Sequence, residues 1–401
     1  MSDLLELLNN LSSLALFRGV RDSEPLKSLC SYLKRSKSVI PDNEKLELYG
    51  GFVSVLYSLR PDANLSEAVW DLLVSDMNPY LKNKIESITF ADEVQVSEVL
   101  KAAAQKELTI LNCLGDVTYE SLTSTISSDY VPVFENSKID FKKRYFEMIE
   151  NIEKVGYGIY SKYRTFKYTS GKIVPIKTPD PISVDDLFCY EMQREKVVNN
   201  TKAFLAGKPA ADILLYGDAG TGKSSTVKAV SKSFIDEGLR LVELPKAEIS
   251  NLPDVIEKLS AIPMKFILYV DDLSFEANDE RIGSLKSVLE GAASGGRKNI
   301  IIYITSNRRH MIKETFSDRS DEIHASDTIA EQMSLSERFG LRILFDKPNK
   351  FDFLKIVREL AKNRGITMEQ EELDMLAERF ALRSGGRSAR LARQFVDSLD
   401  C

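Results

Sequence analysis

Two hydrophobic patterns divide the chain. Up to about residue 164, apolar residues recur at helical spacing, as in NEKLELYGGFVSVLYSL and NLSEAVWDLLVSDM. After the proline-containing stretch KTPDPIS, short apolar runs alternate with helical patterns, and these runs are DILLYG, RLVEL, FILYVDD, NIIIYITSN and LRILFD. Runs that are apolar on both faces are typical of a parallel sheet covered by helices. The pattern predicts a mostly α-helical amino-terminal domain over 1–178 and an α/β domain over 179–347.

Two shorter patterns complete this organisation. TFKYTSGKIVPI predicts a β-hairpin near 165–176, turning at Ser170-Gly171. Helical spacing returns over 348–401 in FDFLKIVRELAKNRG, EQEELDMLAERFALRSG and SARLARQFVDSL. The NKFD at 349–352 fits a guanine-recognition pattern, but FILYVDDLSF lacks the D-x-x-G that a GTPase also needs. We therefore interpret Asn349 as the cap of a helix.

Composition and charge narrow the class of protein. The chain is 43% hydrophobic and 28% charged, as expected of a soluble globular protein. A net charge of -6 disfavours a protein that coats DNA, and four scattered cysteines with two histidines disfavour a zinc site. The first 17 residues include Asp3 and Glu6 and predict an amphipathic helix rather than a secretion signal. Because no apolar run approaches the ~18 residues of a membrane span, we expect a cytoplasmic protein with no membrane partner.

The strand DILLYG leads directly into GDAGTGKSS. The pattern G-x-x-x-x-G-K-S lets backbone N–H groups surround phosphates, brings a lysine to the β- and γ-oxygens and offers a hydroxyl to Mg²⁺. Because it follows an apolar strand and opens a helix, we favour a nucleotide-binding loop over an ordinary glycine-rich turn. The predicted binding residues are Gly217, Asp218, Ala219, Gly220, Thr221, Gly222, Lys223, Ser224 and Ser225.

Two adjacent carboxylates end the strand FILYVDD. Beside a phosphate loop, Asp271 is expected to hold Mg²⁺ together with Ser224, and the next residue to orient the attacking water. That residue is Asp272, which is one methylene shorter than the glutamate found at this position in many ATPases that have a phosphate loop. Asp272 could instead cap the following turn, and Glu276 could then replace it as the base. A short base predicts slow hydrolysis, or full activity only after the site closes.

Four segments, GDAGTGKSS, FILYVDDLSF, TSNRRH and LSERFGL, together resemble the AAA+ ATPase superfamily over about 180–401. More narrowly, they resemble an uncharacterised bacterial family of stand-alone AAA+ ATPases. The resemblance implies binding of ATP and Mg²⁺ and hydrolysis of ATP to ADP and phosphate. It also implies a P-loop core with a five-stranded parallel sheet, a C-terminal helical lid and assembly into a homo-oligomeric ring.

The same resemblance implies roles for polar residues beyond the loop. It makes Asn307 a sensor whose amide can hydrogen-bond the γ-phosphate or the attacking water. SLSERFGLRILF resembles a box of Holliday-junction branch-migration motors and makes Arg338 the arginine finger of a neighbouring site, with Arg319 as the alternative. Arg308, Arg309 and His310 follow Asn307 and either contact a partner or are simply solvated.

Two further segments resemble nucleotide contacts of the superfamily. SGGRSARLARQF resembles the box that carries the second sensor in protein unfoldases, which marks Arg387, or Arg390 one turn later. VDDLFCYE falls where the superfamily places its adenine pocket. Leu187 and Tyr190 are the candidates there, although core packing would use the same residues.

Three function classes follow. The favoured one is an ATP-hydrolysing motor that acts on an unidentified protein or nucleic-acid client recognised by 1–178. The second is a nucleotide-gated switch or scaffold that binds ATP and hydrolyses it slowly. The third, a small-molecule phosphotransferase, is disfavoured by the sensor residues, the finger and the C-terminal helices. The choice between the first two depends on whether Asp272 can position water.

Overall fold

The computed structural model describes residues 2–36, 40–90, 93–275, 279, 281–293, 297–307 and 335–399. It divides the chain into two compact units, Met1–Lys162 and Tyr163–Cys401. The first boundary therefore falls before the predicted hairpin, and not at 178. Five residues singled out in the sequence lie outside the described residues, namely Glu276, Arg308, Arg309, His310 and Arg319.

The first unit is helical. Its helices are α1 Ser2–Ser12, α2 Arg18–Arg21, α3 Glu24–Arg35, α4 Asp42–Leu59, α5 Leu65–Ser75, α6 Pro79–Thr89, α7 Glu98–Asn112, α8 Tyr119–Thr123, α9 Phe141–Glu150, α10 Ile152–Val155 and α11 Ile159–Lys162. The side chains of Asn64, Asn78 and Ser97 accept backbone N–H groups at the starts of α5, α6 and α7. Buried rings such as Phe17 and Tyr145, whose centroids are 5.4 Å apart, pack its interior. None of the helices in the described parts of the chain is long and apolar enough to cross a bilayer.

A buried carboxylate on α7 holds the turn between α1 and α2. Glu107 accepts the backbone N–H groups of Ala15, Leu16 and Phe17 at 2.9–3.1 Å. Leu16 and Phe17 supply two buried donors, and leaving a buried donor without a partner costs about 1–3 kcal/mol, so Glu107→Ala should lower the free energy of unfolding by about 3 kcal/mol. Denaturant titration would measure this loss. The exposed neighbour provides a control, since Lys106→Ala should change it by less than about 0.5 kcal/mol. Equal effects of the two changes would contradict the role given to Glu107.

In the described residues, seven strands form the sheet of the second unit. They are β1 Thr165–Thr169, β2 Lys172–Pro175, β3 Ile213–Gly217, β4 Leu239–Glu243, β5 Lys265–Val270, β6 Ile300–Ser306 and β7 Leu341–Phe345. Their order is β2-β1-β4-β5-β6-β3-β7, and all neighbours are parallel except β1 and β2. All five strands predicted for the core are present, but the five-stranded count is wrong. The predicted hairpin joins the same sheet because β1 pairs with β4.

The helices of the second unit fall into two groups. α12 Glu191–Leu205, α13 Lys223–Ser233, α14 Leu252–Ser260 and α15 Arg281–Ala293 belong to the part that contains the sheet. The second group, here called the C-terminal helices, comprises α16 Lys350–Asn363, α17 Gln370–Arg383 and α18 Ala389–Leu399 and has a hydrophobic cluster of its own. Tyr190 packs against both the sheet cluster and this one. The side chain of Asn349 accepts the backbone N–H of Asp352 at 2.9 Å, which confirms that Asn349 caps α16.

Candidate functional site

The phosphate-loop sequence connects β3 to α13, as its pattern predicts. Gly217, Gly220 and Gly222 all have positive φ, at 126°, 77° and 93°. A Cβ at Gly217 would lie 2.3 Å from the carbonyl oxygen of Phe345, so only glycine fits where the ends of β3 and β7 meet. The loop ends at the amino terminus of α13, where unpaired N–H groups and the helix dipole favour a bound anion.

Lys223 carries a buried ammonium group at the base of this loop. Its Nζ donates to the carbonyl oxygens of Gly217 and Asp218, at 3.0 and 2.6 Å. Burial lowers the pKa of Lys223 to about 8, against the opposing effect of the carboxylates of Asp218, Asp272 and Asp271. The lysine is therefore a cation held close to the loop and titrates near physiological pH.

The loop borders a cavity of about 470 Å³, a size typical of small-molecule sites. Predicted residues that line it are Leu187, Tyr190, Gly220, Thr221, Gly222, Lys223, Ser224, Ser225, Asp271, Asp272, Asn307 and Arg390. Residues that line it but were not predicted include Asp186, Phe188, Arg194, Thr226, Thr305, Ile356, Leu360, Ala389 and Arg393. The predicted residues Gly217, Asp218, Ala219, Arg387 and Arg338 are not among its described lining. The structure thus brings the phosphate loop and both aspartates to one cavity.

Asp271 lies in a cluster of hydroxyl groups. The hydroxyls of Ser224 and Thr305 both donate to its Oδ1, each at 2.6 Å. Burial acts to raise the pKa of Asp271, but the hydrogen bonds donated by Ser224 and Thr305 outweigh it, and the pKa lies below its ordinary value. Asp271 is therefore a carboxylate at neutral pH.

This pair of oxygen donors fits Mg²⁺, a hard cation that binds one or two protein oxygens and completes its shell with water and phosphate. The hydroxyl of Ser224 uses its proton for Asp271 and keeps oxygen lone pairs for a metal. In the described parts of the chain, no three histidine, cysteine or acidic side chains are grouped to hold a metal by themselves.

Asp272 has a left-handed backbone, with φ of 50°. Successive side chains of a strand point to opposite faces, and leaving the strand conformation at this residue lets both aspartates line one cavity. Its Oδ1 accepts a hydrogen bond of 2.6 Å from Nδ2 of Asn307. Aspartate adopts this left-handed conformation more readily than most non-glycine residues, because its short polar side chain can hydrogen-bond locally.

Thr305 links the two aspartates and was not predicted. Its Oγ1 accepts the backbone N–H of Asp272 at 2.9 Å and donates to Asp271. Thr305 lies one residue before the end of β6 and two residues before Asn307, and β6 lies beside β5 in the sheet. Recognising it required the strand order, which the local pattern does not contain.

The lining of the cavity is partly apolar. Leu187, Ile356 and Leu360 line it, and Tyr190 lies beside them. The hydroxyl of Tyr190 donates to the carbonyl oxygen of Asp346 at 2.6 Å, and its ring centroid is 5.2 Å from that of Phe345. Tyr190 is therefore fixed in place at a position where a planar ring could be bound.

The three arginines predicted from the resemblance have different surroundings. The backbone N–H of Arg390 donates to the carbonyl oxygen of Gly220 at 3.1 Å, and its side chain lines the cavity. Arg387 instead pairs with Glu378 through contacts of 2.8 and 2.7 Å. Arg338 pairs with Glu290, with Nε 3.0 Å from Oε1. Of the two arginines proposed as the second sensor, the structure brings only Arg390 to the cavity.

A family model described as "Protein of unknown function (DUF815)" matches residues 161–401. The chain belongs to this family. This match confirms the prediction of a family of unknown function, and the phosphate loop and the parallel sheet agree with the predicted P-loop core. The DUF815 match begins at the boundary between the two units, and nearly all of the first unit lies outside it.

Solved structures similar to this DUF815 chain include the Holliday junction branch migration motor RuvB of Thermotoga maritima. The two share 15% identity with a TM-score of 0.38, over 55% of this chain and 64% of that one. A proline-to-glycine mutant of the same motor matches at 14% identity and a TM-score of 0.39, over 55% and 66% of the two chains. The DUF815 chain thus spans less than two thirds of the first motor's length. The search of curated proteins gave no match.

Proposed function

We propose that the chain binds ATP with Mg²⁺ and hydrolyses it to ADP and phosphate. The observation that carries this proposal is one cavity lined by the loop lysine, two acidic residues and a polar residue from the adjacent strand. Ser224, Asp271, Thr305, Asp272 and Asn307 form a continuous chain of hydrogen bonds along its wall. Such an arrangement supports phosphate binding, metal binding and activation of water at one place.

Phosphate binding is assigned to the loop. Its backbone N–H groups and the start of α13 surround the phosphates, and Lys223 neutralises their charge. Ser224 and Asp271 would hold Mg²⁺, which supplies charge neutralisation on the phosphate oxygens. Leu187, Tyr190 and the other apolar lining residues would receive the adenine ring.

Activation of water is assigned to Asp272. Its carboxylate accepts a hydrogen bond from a water molecule directed at the γ-phosphorus, and Asn307 holds that carboxylate in place. A bond forms between the water oxygen and phosphorus while the bond to the ADP oxygen breaks. The water proton passes to Asp272 or to the released phosphate.

Coupling to movement is assigned to the C-terminal helices, which we propose act as a lid. Arg390 is bonded through its backbone to Gly220, and Arg390 and Arg393 both line the cavity. We therefore propose Arg390, rather than Arg387, as the arginine that senses the γ-phosphate. Arg338 lies outside the described lining of its own cavity and is proposed to complete a neighbour's site in a homo-oligomer that acts on a protein or nucleic-acid client.

Nucleotide affinity should depend on pH through Lys223. Because the pKa of this lysine is about 8, it is charged below that pH and loses its proton as the pH rises. Affinity for ADP, measured by calorimetry without Mg²⁺, should therefore fall above pH 8, by up to about ten-fold per pH unit. Lys223→Arg remains charged throughout and should bind more weakly but with a flatter profile from pH 7 to 9. If the ADP affinities of the wild type and of Lys223→Arg fell equally between pH 7 and 9, Lys223 would not be the source of the pH dependence.

One observation favours a second function. Asn307 already occupies one oxygen of the short Asp272 side chain, so a slow nucleotide-gated switch is the alternative. Steady-state ATPase rate against protein concentration distinguishes the two. Specific activity that rises with concentration supports a motor with shared sites. Tight nucleotide binding with no turnover at any concentration overturns hydrolysis and supports the switch.

A further inference from the structure

A buried tyrosine lies beneath the proposed metal site. Tyr269 is on β5 and is 1% exposed. Its hydroxyl is close to Ser224, Thr305 and Asp271. It makes no hydrogen bond of ordinary geometry with any residue that the structure describes, although it lies close enough to Asp271 to help lower the pKa of that carboxyl. An unpartnered buried hydroxyl is costly and uncommon, which calls for an explanation from function.

The position of Tyr269 in the strand explains which groups it faces. Residues two apart on a strand point to the same face, so Tyr269 lies on the same side of β5 as the carboxylate of Asp271. The adjacent strand offers a direct comparison, because Tyr303 pairs in register with Tyr269. The hydroxyl of Tyr303 lies 2.7 Å from Thr201 Oγ1 and 3.3 Å from Asn200 Nδ2. The hydroxyl of Tyr303 thus has hydrogen-bond partners, whereas that of Tyr269 on the neighbouring strand faces the acidic site.

We propose that the Tyr269 hydroxyl is a positioning group for the carboxylate of Asp271 when Mg²⁺ and nucleotide bind. Ser224 and Thr305 both donate to Oδ1 of Asp271, and Mg²⁺ would be held by Ser224 together with this carboxylate. A donor already buried beneath them can then bond the carboxylate and hold its orientation. Groups that orient metal ligands in this way commonly change metal affinity by 10–100-fold.

This inference rests on the proposed function, and its test separates the two. ADP binding would be measured by calorimetry, with EDTA and across a Mg²⁺ titration, for the wild type, Tyr269→Phe and Tyr303→Phe. Tyr269→Phe keeps the ring and removes only the hydroxyl. We expect unchanged ADP affinity in EDTA and a roughly ten-fold higher Mg²⁺ concentration for half-maximal enhancement of ADP binding. Tyr303→Phe should leave the Mg²⁺ dependence unchanged.

Thermal unfolding without nucleotide distinguishes this role from a purely structural one, because loss of a structural hydroxyl would lower the unfolding midpoint. Removing an unpartnered hydroxyl should leave the midpoint of Tyr269→Phe unchanged or higher, while Tyr303→Phe should lower it because its hydroxyl has partners. A Mg²⁺ dependence of Tyr269→Phe equal to that of the wild type would overturn the inference alone. An unfolding midpoint of Tyr269→Phe that falls as far as that of Tyr303→Phe would also overturn the inference alone. A wild-type chain that binds no ADP under either condition would overturn the proposed function, and this inference with it.

Discussion

Replacing Asp272 with asparagine is expected to lower kcat for ATP hydrolysis by about 10²–10⁴-fold, the usual contribution of a positioned general base. ATP affinity should be retained, because Lys223, Ser224 and Asp271 are unchanged. The substitution suits this backbone, since asparagine and aspartate both tolerate the left-handed conformation with φ of 50°. The amide keeps the shape of the carboxylate but cannot accept the proton of water.

Single-turnover hydrolysis measured beside nucleotide binding would check this result. Asp272→Glu serves as the comparison for length, because it restores the reach of the longer base in the same position. If the short side chain limits turnover, the glutamate variant should hydrolyse faster than wild type. An Asp272→Asn protein with wild-type turnover would contradict the role of Asp272 as the base and leave it as a turn-forming residue.

Replacing Arg338 with alanine is expected to lower kcat by about 10³–10⁵-fold, the effect of removing an arginine finger. Binding of ATP should remain, because Arg338 pairs with Glu290 and lies outside the described lining of its own cavity. Arg342→Ala is a matched control, since Arg342 is an exposed arginine four residues further along the same segment. Steady-state ATPase assays at saturating ATP would measure both variants.

Mixing two inactive variants tests whether the finger acts in a neighbour's site. Lys223→Ala chains lack a working phosphate loop but supply Arg338, and Arg338→Ala chains have the reverse defect. Mixed oligomers should therefore regain activity that neither variant has alone. Absence of recovery, with both proteins shown to be assembled, would contradict action in trans. Wild-type activity in Arg338→Ala alone would exclude Arg338 as the finger.

The sequence was sufficient for features that depend on neighbouring residues. The glycines and lysine of the phosphate loop, the five core strands and the cap at Asn349 are each specified within a few positions. The addition of β1 to the edge of β4 was missed because strand pairing between distant segments leaves no local pattern. For the same reason the count of five strands was too low.

Side-chain partners proved harder to predict than backbone elements. Arg387 and Arg390 both follow the glycines that precede α18, and spacing alone cannot tell them apart. The structure separates them through Glu378 on α17, which pairs with Arg387. Thr305 was missed similarly, because only the adjacency of β5 and β6 brings its hydroxyl to Asp271.

The phosphate loop is hydrogen-bonded both to the end of β7 and to the start of α18. The backbone N–H of Asp218 donates to the carbonyl oxygen of Phe345 at 3.0 Å, and that of Arg390 donates to Gly220 at 3.1 Å. Gly217 has no room for a side chain beside Phe345. The positions of the loop, the end of β7 and the start of α18 are therefore coupled, so a substitution that displaces one of them should shift the others.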